Sequence, residues 1–60
     1  MDGSKEGLEE LARETVALYG RDAAKMLLRR AEIADEYGDT ASAKAWRQIA
    51  AIAARLARHV

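Results

Sequence analysis

The sequence predicts an all-α fold: a three-helix bundle of up-down-up connectivity with short glycine turns. Three observations carry that expectation. Residues 40–60 repeat apolar side chains at helical spacing and contain no glycine. On a helical wheel centred on Ile49, Ser42, Ala45, Trp46, Ile52, Ala53, Leu56 and Val60 lie within about 60°, with Lys44, Arg47, Arg55 and Arg58 opposite. The chain has no proline, so glycine marks the breaks, and Gly20 and Gly38 each follow a tyrosine. Glycine just past a helix end takes the left-handed conformation that closes the last turn. Finally, the two segments before Gly38 carry helix-period apolar stripes of their own, which supply partners for the last helix.

The first helix is expected over 5–19, with Ser4 as N-cap. Leu8, Leu11, Ala12, Thr15, Leu18 and Tyr19 follow the helical period. Glu6, Glu9 and Glu10 sit in its early turns, where negative charge suits the helix dipole. Glu9 and Arg13 are four apart and can pair, for about 0.2–0.5 kcal/mol.

The second helix is expected over 21–37, with Asp22 in its first turn. Its apolar arc is wide. Ala24, Leu27, Leu28, Ala31 and Ala34 form one stripe, and Met26, Ile33 and Tyr37 form another, turned by about 100°. A middle helix with two neighbours explains this width, and so does one neighbour plus an interface. Arg30 interrupts the second stripe, and Asp35 stands at the edge of the first. Both read as boundary residues that pair across helices.

Gly38-Asp39 then breaks the chain, and Asp39 or Thr40 caps a third helix over 40–59. The break at Gly20 lacks such flanking residues. Leu8, Ala12, Thr15, Tyr19, Ala23, Met26, Arg30, Ile33 and Tyr37 continue one stripe through it in steps of three and four. The alternative architecture is therefore a helical hairpin with one long helix, 5–37, that dimerises.

Length permits one domain, residues 1–60, and a small core. Half the residues are apolar, but many are alanine and none is phenylalanine. The expected core anchors are Leu8, Leu11, Leu27, Leu28, Trp46, Ile49, Ile52 and Leu56. One core of this size contributes only about 3–5 kcal/mol. Without cysteine, neither disulfides nor thiolate metal sites can add to it. Dense helix packing over alanine, or self-association, has to supply the rest. No apolar run approaches the roughly 18 residues of a membrane span. The opening Met1-Asp2-Gly3-Ser4-Lys5-Glu6 is acidic where a signal peptide is basic. The expectation is a soluble, cytoplasmic protein with no membrane partner.

Net charge is zero, yet unevenly spread: −3 over residues 1–20, zero over 21–38 and +3 over 39–60. An acidic first helix beside a basic third helix is complementary within one molecule, and the same asymmetry can drive association between molecules.

Leu18-Tyr19-Gly20, Ala23-Ala24, Leu28, Arg30-Ala31, Gly38-Asp39, Ala45-Trp46, Ile49-Ala50 and Ala53 together resemble a pattern of short uncharacterised helical proteins of alphaproteobacteria. The match covers about two-thirds of the chain and consists of packing and turn positions. The resemblance implies a small helical fold and brings no activity with it. An engineered or de novo designed helical bundle would read the same way.

No constellation for chemistry emerges, so no catalytic, cofactor-binding or metal-binding residue is expected. His59 is the single histidine, beside the chain end, and reads as a solvated side chain. Glu6, Glu10 and Glu14 line one polar face at four-residue steps, without the Glu-x-x-His motifs of a di-iron bundle. Thr15, Thr40 and Ser42 have no histidine near them in sequence, and no phosphate-binding glycine loop occurs. Lys44, Arg47, Arg55 and Arg58 would be the phosphate contacts of a nucleic-acid-binding helix. However, the domain is neutral, and Ala43, Ala51 and Ala54 between them read no bases. Nucleic acid is thus disfavoured, and no small-molecule ligand is indicated. The expected class is a non-enzymatic structural or protein-interaction module. Its partner would be itself or another helical protein, met through Met26, Arg30, Ile33 and Tyr37. Methionine and tyrosine suit adaptable contacts.

Overall fold

The computed structural model describes residues 3–58, with side chains from residue 7 onward. The chain is all-helical, with no strand among the described residues. Helix α1 spans Gly3–Tyr19, α2 spans Ala23–Glu36 and α3 spans Thr40–Arg58. A single 3-10 turn, Gly20–Asp22, joins α1 to α2. Helix α1 begins at Gly3, so Ser4 lies within its first turn rather than ahead of it. The Ser4 and Glu6 side chains, His59 and Val60 lie outside the described residues.

The up-down-up bundle is not what forms. Helical structure runs from Gly3 to Glu36 without an irregular residue, so the chain is two helical arms separated by one turn at Tyr37–Asp39. The first arm is long and bent at Gly20, where φ is +60°. This is closer to the hairpin with one long helix than to three helices joined by two reversals. The bend does not lay α1 back along α2. These two helices barely touch, whereas α2 packs extensively on α3 and α1 packs chiefly on α3. The molecule is flat, with principal extents of 34 × 30 × 15 Å.

The two glycines act through conformation, not space. A Cβ at Gly20 or Gly38 would meet nothing within 4 Å, but both residues have positive φ. At Gly38, where φ is +79°, the ending of α2 is complete. The Asp39 amide donates to the Ala34 carbonyl and the Gly38 amide to the Asp35 carbonyl, each at 2.9 Å. That pair of bonds closes the helix end around a left-handed glycine. Asp39 then starts α3. Its Oδ1 accepts from the Ser42 amide at 3.1 Å, and its carbonyl accepts from the Ala43 amide at 3.1 Å. One aspartate thus serves both sides of the turn, and of Asp39 and Thr40, the two expected caps, Asp39 is the one that caps α3. Hydrogen bonds from the Ser42 side chain, then from its backbone amide, hold the Asp39 carboxyl below its ordinary value.

The centre of the molecule is largely alanine. Ala12, Ala23, Leu27, Ile49, Ala50 and Ala53 form the buried cluster, with Leu8, Val16, Trp46, Ile52 and Leu56 packed against it. Ala31 and Ala43 are buried too. On α3 the buried arc is wider than the stripe about Ile49 and turns toward Ala43 and Ala50. One side of α3 meets α2: Ala54 and Ala57 share a groove with Ala24. The other side meets α1: Ile52 and Leu56 share one with Glu9 and Arg13. Small side chains let helix axes approach at the near end of the usual 8–10 Å range.

Of the expected core anchors, Leu27 and Ile49 are buried, and Leu8, Trp46, Ile52 and Leu56 are partly buried. Leu11 and Leu28 are corrections, because both are exposed. Leu28 and Met26 flank Leu27 by about 100° on opposite sides of α2. Leu27 takes the buried line with Ala23 and Ala31, which leaves Leu28 47% exposed. Ala43, expected on the solvent side of α3, is fully buried.

Two outcomes follow from this layout. Leu27→Ala removes the main large side chain of α2 from the core and is expected to cost about 2–5 kcal/mol. Leu28→Ala is expected to cost under about 1 kcal/mol. Urea melts followed by far-UV circular dichroism compare the two. The Asp39 carboxyl is lowered in the fold, so its contribution is present above its ordinary value and is lost as pH falls through the lower, folded one. The acid limb of the thermal midpoint against pH should therefore be shallower in Asp39→Asn than in the wild type. Asparagine still caps but does not titrate there.

Candidate functional site

Met26 and Ile33 are seven residues apart on α2, with Arg30 between them, so all three lie along one side of the helix. Trp46 of α3 comes up beside them. With Arg29 these residues line an open groove of about 430 Å3. A second hollow of about 200 Å3 adjoins it, where Leu11, Glu14, Thr15, Leu18 and Tyr19 of α1 meet Met26, Leu27, Arg30 and Trp46. Met26, Arg30 and Trp46 belong to both. The two hollows therefore form one surface to which all three helices contribute.

Three of the four residues expected at an interaction surface are brought together here: Met26, Arg30 and Ile33. Tyr37 is not. It follows the last residue of α2, is 84% exposed and does not line the groove. The fold also supplies Trp46 and Leu11, expected as core anchors, and Leu18 and Tyr19, expected only as apolar positions of the first helix. Leu18 is 77% exposed. On α1 the buried line runs through Ala12, flanked by Leu8 and Val16, while Leu11 and Leu18 sit about 100–120° away from Ala12. The α1 arc is narrower than the α2 arc, about 160° from Leu18 to Val16, but it too extends well past its buried line. The Leu11–Leu18 edge of that arc was the signal in the sequence for a second surface on α1.

The polar groups at the site are placed by local contacts. The Arg30 guanidinium carbon lies 5.4 Å from the centroid of the Trp46 ring, within cation–π range. The Thr15 hydroxyl donates to the Leu11 carbonyl at 2.8 Å, which satisfies it within its own helix. Asp35 reaches from α2 to Arg47 on α3 in an exposed ion pair, so both boundary residues of α2 contact the third helix. At such exposure the pair contributes about 0–1 kcal/mol.

Among the described residues, no polar side chain is buried. No group of three histidines, cysteines, aspartates or glutamates stands close enough to hold a metal ion. A displaced carboxyl occurs at Asp39, and capping accounts for it. Reactive acids and bases are usually recognised by burial together with a specific charged neighbour. The site around Trp46 combines apolar side chains with exposed charge. The basic side of α3 is divided. Arg47 is paired with Asp35, Arg55 sits beside Glu9 and Arg13 of α1, and Arg58 shares a groove with Arg21. No helix among the described residues is long and apolar enough to cross a membrane.

Comparison with family models, with curated proteins and with solved structures gave no match.

The Arg30–Trp46 contact predicts a spectroscopic outcome. Arg30→Ala should uncover one face of the indole, shift Trp46 emission to longer wavelength and cost about 0.5–1 kcal/mol of stability. Steady-state fluorescence and a urea melt read both effects.

Proposed function

We propose that the chain is a non-enzymatic helical module whose activity is to bind protein through the surface around Trp46. One observation carries the reading. Leu18 and Tyr19 at the end of α1 and Ile33 on α2 are large apolar side chains on both halves of the long arm, all left open, and they surround a half-covered tryptophan. Single exposed leucines are ordinary, but apolar side chains gathered about one groove and rimmed by charge mark a contact site. Tryptophan, tyrosine and arginine are also the side chains that most often dominate binding energy. The rim charges are of both signs, with Glu14 on α1 and Arg29 and Arg30 on α2. A polypeptide partner with mixed charge suits such a rim better than a polyanion does.

The same features are compatible with a designed scaffold that leaves one apolar strip uncovered, and with a small natural domain like those the sequence resembles. In either case the surface around Trp46 is where a protein would be met.

A photoreactive side chain at position 18 should form adducts with polypeptide, either in a concentrated pure sample or in cell extract. The same group at Glu36, away from the groove, should not. Equal labelling from both positions, or none from either, would remove the proposal.

A further inference from the structure

The occupant of this surface can be named more closely, on the premise that the surface binds protein at all. We infer that it is a second copy of this chain, related by a two-fold axis. Two observations point there.

The first is area. The molecule exposes 4631 Å2. A globular monomer of 6.6 kDa exposes about 3,900 Å2. The surplus of roughly 700 Å2 is close to the ~800 Å2 that each partner contributes to a stable interface of standard size. A flat outline, 15 Å in its shortest direction, encloses less volume per unit of surface than a sphere. The long arm bends over α3 without folding back along α2, and the strip from Leu18 to Ile33 stays uncovered.

The second is charge. An interface between identical copies presents one patch to itself, so each attractive pair must have both members on that patch. Glu14 and Arg30 line the same hollow, one on each half of the long arm. Across a two-fold axis, Glu14 of one protomer meets Arg30 of its partner, and the pair occurs twice. The apolar side chains between them, Leu18 and Tyr19 above all, pack against their own equivalents. A partner of uniform charge would satisfy only one half of this rim.

Mass in solution tests the inference with the full chain. Sedimentation equilibrium from low micromolar to several hundred micromolar should show a reversible shift from the 6.6 kDa monomer to twice that mass. Leu18→Glu should weaken association about tenfold or more and leave the circular dichroism unchanged. A charge exchange keeps the test informative even if that variant folds poorly. Glu14→Arg and Arg30→Glu should each associate more weakly than the wild type, and an equimolar mixture of the two should recover the dimer, because every cross-pair is then opposite in sign. A wild type that stays monomeric throughout overturns the inference, and so does a mixture no tighter than its components. The broader reading fails separately. If the chain is monomeric but position 18 still crosslinks specifically to another polypeptide in extract, the dimer is wrong and the binding surface stands. If it crosslinks to nothing, both are wrong.

Discussion

Everything in this fold leans on α3 as the shared partner of two helices that hardly meet each other. Helix α2 closes on α3 through alanine: Ala23 and Ala31 on one side, Ala43, Ala50 and Ala53 on the other. Helix α1 crosses to the remaining flank through Leu8, Ala12 and Val16. Alanine loses no side-chain entropy on burial and permits close backbone approach, so many short contacts replace a few large ones. In return, little apolar area is hidden per residue. The large side chains that would complete an ordinary core lie on the rims, and the groove at Trp46 is a direct result of a centre made of small residues.

That trade also places the charged groups. Arg30 and Asp35 lie on opposite edges of α2, one over Trp46 and the other against Arg47. The two contacts join the same pair of helices from either edge and so define which way α2 faces. Neither contributes much energy at its exposure. Each penalises a rotation of α2 about its axis, which an alanine surface alone resists weakly.

Much of the secondary structure could be read from residue order. The turn at Gly38-Asp39 was legible because left-handed glycine, capping aspartate and the interrupted stripe agree there. Gly20 was ambiguous for the same kind of reason: it changes the backbone torsion, but the apolar stripe runs on past it. The fold accommodates both signals, with a left-handed residue and a 3-10 turn inside an otherwise unbroken helical arm. Leu28 and Leu11 were misplaced because a helical wheel gives direction without saying how much of each direction a neighbour covers. Alanine was undervalued for the complementary reason. Ala43 and Ala50 carry little hydrophobicity, yet both are buried between helices. Of the site, Met26, Arg30 and Ile33 were visible as a second stripe. The contribution of α1 was marked only by the Leu11–Leu18 edge of its arc, and that this edge faces the same groove depends on the angle of the bend.

The open space around Gly20 has a bearing on how the molecule comes to its shape. A side chain at Gly20 would find nothing to pack on, so the corner's angle is held by what α1, the 3-10 turn and α2 each find on α3. A ribosome releases Thr40–Arg58 after both halves of the arm. Until then the arm lacks α3 to wrap around, and its direction past residue 20 is undecided. The kink is thus set only once α3 arrives and offers a flank to each half.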